Sequence, residues 1–414
     1  MNARRAEEYL LDLELFGMRF GLDRMHKLMT ALGMPQRRFA SVHVVGSNGK
    51  SSTVRFAAAI LREHGLRTGA YTSPHLRSFA ERIEVDGEPV PDADFAAAVA
   101  RVRNAARLVD RTLPEGDVVT QFEALTAVAY HELARRGVDV AVVEAGLGGR
   151  YDATNVIPSR VQALTSVGLE HTRWLGPTVR DIAEEKLAVV RDHATLAIGP
   201  DLHPDALAVA ERVAGERHAR LLRAPAAAEQ PLRARGTFQR RNFGLARTVA
   251  GAFLGDERLD AAAVRRAAET VEVPGRMQVV AEDPLTIYDG AHNGEGAAAL
   301  AQALPEVVGD RPLVAVVAIL DDKDANGMLG ALLPLCQAVV FTRAPSPRSL
   351  PAGTLESLAE RLGGPPTETV AEPRAAVARA RELAGPEGAV VATGSIYLVA
   401  VLVREPGAAR ASTL

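Results

Sequence analysis

The chain has 414 residues, of which 47% are hydrophobic and 24% charged, and its net charge is -3 at neutral pH. That length exceeds one ordinary core and points to two domains, or three, while the near-balanced charge excludes a polyelectrolyte partner such as nucleic acid. The one cysteine, Cys336 in the apolar run ALLPLCQAVVF, excludes an internal disulfide framework and reads as a buried, inert thiol. No run reaches about 18 uninterrupted apolar residues and the charged, amphipathic N-terminus is no secretory leader, so a cytoplasmic protein without membrane contact is expected.

Residues 4 to 33 carry apolar positions at helical spacing, broken by FGMRFG at 16 to 21, and predict two helices. SVHVVGSNGKSS (41–52) follows, a β-branched strand that breaks into Gly46, Asn48, Gly49, Lys50 and two hydroxyls. The general phosphate-loop pattern has four residues between its glycines; here only Ser47 and Asn48 stand there. The physics of the loop still holds: backbone N–H groups at a helix start cradle an anion, Lys50 supplies a point charge, and Ser51 or Ser52 can offer an oxygen to Mg²⁺. A glycine-rich turn before an ordinary helix is the competing reading. YTSPHL (71–76) reads as a strand end, IEVDGEPVPD (83–92) as a hairpin followed by a helix from Asp94, and TQFEALTAVAYHELARRG (120–137) as a strongly periodic helix. VDVAVVEAGLGG (138–149) is an apolar strand ending in glycines, which implies a parallel sheet. The alternation continues through VQALTSVGLEH, the helix TVRDIAEEKLAVVRD, the strand ATLAIG and another helix, the pattern of a doubly wound α/β domain over residues 1–273. VEVPGRMQVV marks a joint near residue 274. Beyond it, TIYDGAHN, PLVAVVAILDDKD, AVVFT and GAVVATGSIYLVAVLVRE describe a smaller α/β domain over 274–414, with no fixed repeat and no long linker.

Lysine use narrows the search for chemistry. There are four lysines, Lys27, Lys50, Lys186 and Lys323, against 44 arginines. Where a chain so biased keeps lysine, either the planar guanidinium fails for shape or a titratable amine is needed. Lys27, in the arginine-rich helix RMHKLM, fits residual chance; the other three fall in stretches that stand out on other grounds.

In open α/β sheets ligands gather at the carboxyl ends of strands, where this chain places Ser47 to Ser52, Ser73 to His75, Glu144 to Arg150, and Glu170 with His171. Glu144 ends an apolar strand, so its carboxylate needs a cation, a water-filled cleft or an arginine. With Ser73 and His171 at two further strand ends, hydroxyl, carboxylate and imidazole beside a triphosphate would make a Mg²⁺ shell, although each alone could cap a loop. EAGLGGRYDATN (144–155) brings close backbone approach at Gly146, Gly148 and Gly149, then Arg150, Asp152 and Asn155, which favours a substrate or phosphate contact over a plain turn. Lys186 follows Glu184 and Glu185 on a helix, where surface pairing would also explain it. In YDGAHNGEG (288–296), Asp289 could accept from a ribose hydroxyl and Arg276 could grip phosphate, with both domains closing on one nucleotide; helix capping by Asp or Asn competes. DDKD (321–324) is either a solvated turn or a lysine placed on purpose at a strand end.

Taken in order, GSNGKSS, TSPHL, TQFEA, VVEAGLGGRYDATN, GLEHTRWLGPTVRDIAEEK, PGRMQ, YDGAHN, ILDDKD and TGSIYLVA resemble the folylpolyglutamate synthases and dihydrofolate synthases of the Mur-ligase superfamily, across essentially the whole chain; GMRFGLDRM resembles the family's N-terminal helix start. The resemblance implies a P-loop ATPase-like, mostly parallel, Mur-ligase-type ATP-binding domain and a Rossmann-like glutamate-ligase domain. It implies ATP-dependent amide ligation, in which a pterin carboxylate takes the γ-phosphoryl group and the amine of L-glutamate attacks the acyl phosphate. The acid would be dihydropteroate, a reduced folate or both; a Mur-type ligase acting on another carboxylic acid is the alternative. In family terms Gly46, Ser47, Asn48, Gly49, Lys50, Ser51, Ser52, Asn242, Arg276 and Asp289 contact ATP, and Ser73, Glu144 and His171 hold Mg²⁺. Lys186 matches a lysine carbamylated by CO₂ to give a metal-binding carboxylate, and Phe122, Tyr151 and Asp152 fall where the pterin binds. Lys50, Lys186 and His292 are the candidate catalytic groups. Two Mg²⁺ sites and a monomer are implied, and a monovalent cation is left open. Ser47 and Ser51 depart from the family's usual Gly-Thr-Asn-Gly-Lys-Gly-Ser toward the muramyl ligases, Leu187 and Ala188 alter the surroundings of Lys186, and Phe238 replaces a common histidine.

Overall fold

A computed structural model describes residues 1–13, 20–228 and 230–405. The chain divides into two compact units: Met1–Pro231 with Arg241–Val271, and Leu232–Arg240 with the described residues from Glu272 onward. Residues 232–240, which the sequence pattern leaves in the first domain, cluster with the second unit.

The first unit is built on an eight-stranded sheet of β1 (Ala40–Val45), β2 (Thr68–Tyr71), β3 (Ile83–Val85), β4 (Glu88–Pro89), β5 (Val140–Glu144), β6 (Val161–Leu164), β7 (Thr195–Ile198) and β8 (Arg220–Arg223), in the order β4-β3-β2-β5-β1-β6-β7-β8. β3 and β4 are an antiparallel edge; the other six strands run parallel. Every residue of β5 is buried, as its unbroken VAVVE run requires of a strand covered on both faces. The register sets Val44 opposite Glu144 and Val45 opposite Leu164, so the carboxyl ends of β5, β1 and β6 lie side by side. Two apolar clusters flank this sheet, one containing Leu10, Met25, Tyr71, Phe95 and Tyr130, the other Val45, Leu164, Ile182, Leu187 and Ile198.

Two helices that carry candidate residues begin at reciprocal caps. Thr120 accepts from Glu123 N while the Glu123 carboxylate accepts from Thr120 N, starting the helix Gln121–Arg135; Thr178 and Asp181 do the same for Val179–Leu187. Each cap satisfies two N–H groups that the helix itself leaves without partners, which fixes where Phe122 and Lys186 enter their helices.

The second unit has six strands, β9 (Gln278–Glu282), β10 (Leu285–Tyr288), β11 (Leu313–Val317), β12 (Ala338–Phe341), β13 (Thr367–Thr369) and β14 (Ala389–Thr393), in the order β13-β12-β11-β14-β10-β9, with β9 alone antiparallel. Ile287, Leu300, Val317, Phe341 and Val391 lie in its core.

The elements depart from the sequence pattern in a few places. The N-terminal helices are Ala3–Asp12 and Asp23–Ala31, and most of the FGMRFG break lies outside the described residues. The helix expected from Asp94 starts at Asp92, and the strand expected over 138–149 closes at Glu144 because the glycines that follow turn away from the sheet. Cys336 is half-buried rather than buried; its thiol donates to Leu332 O (3.3 Å) and burial pushes its pKa up to about 12. Among the described residues no helix is long and apolar enough to cross a membrane.

Candidate active site

The turn after β1 is held from the neighbouring strand end. Ser47 N donates to Ser166 O (2.8 Å), Asn48 N to Ser166 Oγ (3.0 Å), and Gly168 N to Ser47 Oγ (3.1 Å). Gly49 then enters the left-handed region at φ +85, and a Cβ there would stand 2.4 Å from Asn242 Oδ1, so the residue is glycine for both conformation and space. The helix Lys50–Glu63 starts immediately after it, with its first N–H groups toward the loop. Ser166 is a residue that sequence reasoning did not single out; the hydroxyl pair at the end of β6, the strand beside β1, is the signal that would have found it.

Two of the four lysines meet on one carbonyl. Lys50 Nζ donates to Gly46 O and Ser47 O, both at 3.0 Å, and Lys186 Nζ donates to Gly46 O at 3.0 Å. Lys186 is only 4% exposed. Burial, reinforced by the Lys50 charge and opposed by Glu170 and Asp152, brings its pKa down to about 7. The surface pairing that its sequence neighbours suggested falls to them instead: Glu185 takes Arg150 (2.8 Å) and Glu184 takes Arg212.

The glycine run between β5 and Asp152 packs against the protein itself. A Cβ on Gly146 would lie 2.5 Å from the Phe122 ring, and one on Gly149 would lie 2.5 Å from Lys186 O and 2.8 Å from Glu185 O. The loop is thereby pressed onto both the Phe122 helix and the Lys186 helix. Asp152, fully buried, accepts from Leu147 N (2.7 Å), Thr154 N (3.0 Å) and Thr154 Oγ1; desolvation raises its pKa and those bonds oppose the rise. Tyr151, by contrast, is 47% exposed and stands edge-on to Phe20 at 5.4 Å, while Phe122 stacks on Tyr71 at 6.4 Å.

Of the three expected metal ligands, the structure joins two: Ser73 N donates to Glu144 Oε2 (3.1 Å), with Glu144 2% exposed at the end of β5. His171 is an exposed residue at φ +54 whose Nε2 faces Glu170 Oε1 at 3.5 Å. Among the described residues no group of three or more His, Cys, Asp or Glu side chains could hold a metal by itself. A buried carboxylate beside a serine suits Mg²⁺, which takes hard oxygen donors, one or two carboxylates at a time, and completes its shell with water and substrate phosphates.

In the second unit Asp289 follows β10, buried, and accepts from Met277 N and Ala291 N, both at 2.8 Å. Desolvation raises its pKa, opposed first by Arg276, whose guanidinium runs so close to Gly290 that a Cβ there would meet it at 2.2 Å. His292 Nδ1 lies 2.8 Å from Gly290 O, an acceptor only, so that nitrogen carries the proton and the basic lone pair is on Nε2. Asn293 caps the next helix through Gly296 N (2.7 Å), and Asp324 of DDKD caps another through Gly327 N (2.9 Å). Lys323 pairs with Asp322 at 3.3 Å.

Known proteins share this architecture. The family described as Mur ligase, glutamate ligase domain, matches residues 275–396. A dihydrofolate synthase/folylpolyglutamate synthase of Mycobacterium tuberculosis is 36% identical over 410 residues, which is 88% of this chain and 83% of that protein. A Haloferax volcanii protein named "Probable bifunctional folylpolyglutamate synthase/dihydropteroate synthase" is 36% identical over 427 residues, 97% of this chain; the chain spans about half the length of that relative, 50%. Among solved structures, Mycobacterium tuberculosis folylpolyglutamate synthase complexed with ADP matches with a TM-score of 0.90 at 32% identity, over 98% of this chain and 100% of the other.

Proposed function

This chain belongs to the folylpolyglutamate synthase/dihydrofolate synthase family, and from that premise we propose that it joins L-glutamate to the carboxylate of dihydropteroate, a reduced folate, or both, at the expense of ATP. The observation that carries the reading is the meeting of Lys50 and Lys186 on the Gly46 carbonyl, at the mouth of an anion-cradling turn.

The pterin carboxylate attacks the γ-phosphorus and ADP leaves. The amine of glutamate then attacks the acyl carbon, the C–N bond forms and phosphate departs. The backbone N–H groups of Gly49 to Ser52, at the start of the helix Lys50–Glu63, would hold the phosphates while Ser47 N and Asn48 N stay on Ser166, and Lys50, now resting on two carbonyls, moves its charge onto the transferring phosphoryl group. Ser73, Glu144 and His171 would hold Mg²⁺, which when bound offsets charge on the phosphates. A lysine with a pKa of about 7 offers a neutral amine near physiological pH, so Lys186 can add to CO₂ through a new N–C bond, release a proton and become a carboxylate donor; arginine cannot. Phe122 and Tyr151 supply aromatic surface for the pterin, beside a loop that Asp152 keeps in shape. On the second unit, Arg276 and Asp289 carry the nucleotide roles that the resemblance implies, and Nε2 of His292 is a candidate acceptor for the proton of the incoming amine.

With ATP, Mg²⁺, glutamate and either dihydropteroate or tetrahydrofolate, ADP is expected only when all components are present. ADP release without glutamate, or no glutamate-dependent turnover with any pterin acid, would overturn the reading. Running the two acids side by side separates the two ligase activities, and a panel of other carboxylic acids tests the wider Mur-type alternative.

A further inference from the structure

His43 lies in the middle of β1, three residues before the phosphate turn, and is wholly buried. Its Nε2 is 2.8 Å from Thr154 Oγ1. The Thr154 hydroxyl has one proton, and that proton is directed at Asp152 Oδ1. Thr154 Oγ1 therefore accepts from His43, which places the imidazole proton on Nε2. The other ring nitrogen, Nδ1, is buried with no hydrogen-bond partner. A protonated ring would carry a second donor with nowhere to point, and burial together with the Arg191 charge brings the His43 pKa down to about 3. The ring is a neutral, one-way donor.

The chain of bonds continues to the loop. Asp152 receives Thr154 Oγ1 and Thr154 N on one oxygen and Leu147 N on the other. Tyr130 OH donates to Thr154 O (2.9 Å), and Arg191 Nη2 donates to Asn155 O (2.8 Å), Asn155 Oδ1 (2.8 Å) and Ile157 O (3.3 Å), so the Thr154 turn is gripped on both sides. One directional path thus runs from the strand under the phosphate turn to the loop that bears Tyr151 and abuts Phe122.

We propose that His43 and Thr154 are positioning residues for the acid substrate: they orient Asp152, and through it the 145–152 loop, without touching substrate or nucleotide themselves. This rests on the ligase reading above for what the loop binds. Asp152 is a buried carboxylate held by Leu147 N, Thr154 N and the Thr154 hydroxyl; removing the hydroxyl takes one donor from Asp152 Oδ1 and leaves His43 Nε2–H without its acceptor.

The test uses the full chain. Thr154→Val and His43→Leu are expected to raise KM for the pterin acid about tenfold, with kcat and KM for ATP changed by less than about twofold. Thr154→Ser, which keeps the hydroxyl, and His43→Gln, which keeps an amide donor near Nε2, are expected to restore it. Because the residues act in series, the double variant Thr154→Val/His43→Leu should be no worse than the poorer single one. Equal loss in both KM values, a loss confined to kcat, or a Thr154→Ser variant as impaired as Thr154→Val would overturn the proposal. Hydrogen exchange at Leu147 N gives a readout that needs no turnover: protection is expected to fall in Thr154→Val and His43→Leu and to survive in Thr154→Ser. If the unmodified protein shows no glutamate-dependent turnover, the ligase reading fails; the exchange pattern then decides the relay by itself, and unchanged protection at Leu147 sinks it.

Discussion

Lys186 puts an amine in the buried interior of the first unit, where its charge is costly. The unfolded chain keeps this group near pKa 10.5, whereas the folded protein holds it at about 7. Between those values the unfolded state binds more protons than the native state, so stability rises with pH through the window; below about pH 7 both states are protonated and the whole penalty remains. A tenfold loss of proton affinity corresponds to about 1.4 kcal/mol, so the penalty is on the order of a few kcal/mol near neutrality. Lys186→Met, which keeps the length and removes the charge, is expected to raise the unfolding free energy by that order at pH 7 in CO₂-free buffer. At pH 10.5 and above the gain should vanish, and ligation should be lost at every pH. Denaturant titrations of both proteins across this range check the sign, and a variant less stable at pH 7 would contradict it. The scarcity of lysine singles Lys186 out in the sequence, but Glu184 and Glu185 beside it suggest ordinary surface pairing equally well, and its burial is not legible there. Asp152 and Asp289 were less legible. Both stand in polar, glycine-bearing runs that suggest ligand contacts, but a one-dimensional pattern does not tell that their oxygens accept from Leu147, Met277 and Ala291 amides.

At the scale of elements, β5 and β11 were readable as unbroken apolar runs, and β5 is the clearest: its side chains face packed layers on both sides, so no polar alternation survives. β8 and β13 were not foreseen, since Arg220–Arg223 and Thr367–Thr369 lie at sheet edges and carry little apolar content. The glycines after β5 show the same limit differently. Their spacing announces a close approach, while the partner is three-dimensional information: the Phe122 ring and the backbone of the Lys186 helix. Gly149→Ala would set a methyl group 2.5 Å from Lys186 O, and backbone cannot swing aside as a flexible side chain can. We expect it to cost about 1–3 kcal/mol of stability and to displace Lys186 from Gly46 O, lowering turnover as well. Gly330→Ala is the control. Gly330 sits within the helix Ala325–Leu332 with nothing within 4 Å of an added Cβ, so the substitution should stabilise by about 0.5–1 kcal/mol through helix propensity and leave kinetics unchanged. Opposite signs from one chemical change, read by thermal unfolding, separate close packing from simple flexibility.

For the whole molecule, two α/β units were legible from the change of pattern around VEVPGRMQVV, but the excursion of residues 232–240 was not. The helix Thr237–Leu254 runs through the change of unit at 240/241 without a proline or glycine to mark it. Phe238 packs into the core of the second unit, and Phe243 meets Phe56 of the first at 5.2 Å. Punctuation residues report where the backbone turns; they do not report which core a continuous helix feeds. Each unit has its own sheet and its own apolar core, so ligand binding to either should register as a shift in unfolding. A non-hydrolysable ATP analogue with Mg²⁺, at about 100 times its dissociation constant, should stabilise the protein by about 2.7 kcal/mol. For a domain of this size that is a rise of several degrees, at roughly 2–4 °C per kcal/mol. Lys50→Ala removes the amine that rests on Gly46 O and Ser47 O and should abolish most of that rise while moving the unliganded unfolding temperature little, since Gly46 O keeps its bond from Lys186 Nζ and a like charge beside Lys186 is removed. A full shift in the Lys50→Ala protein would mean that the phosphates do not sit at the turn after β1. The anion-binding role of SVHVVGSNGKSS would then have to be given up, whatever the family does.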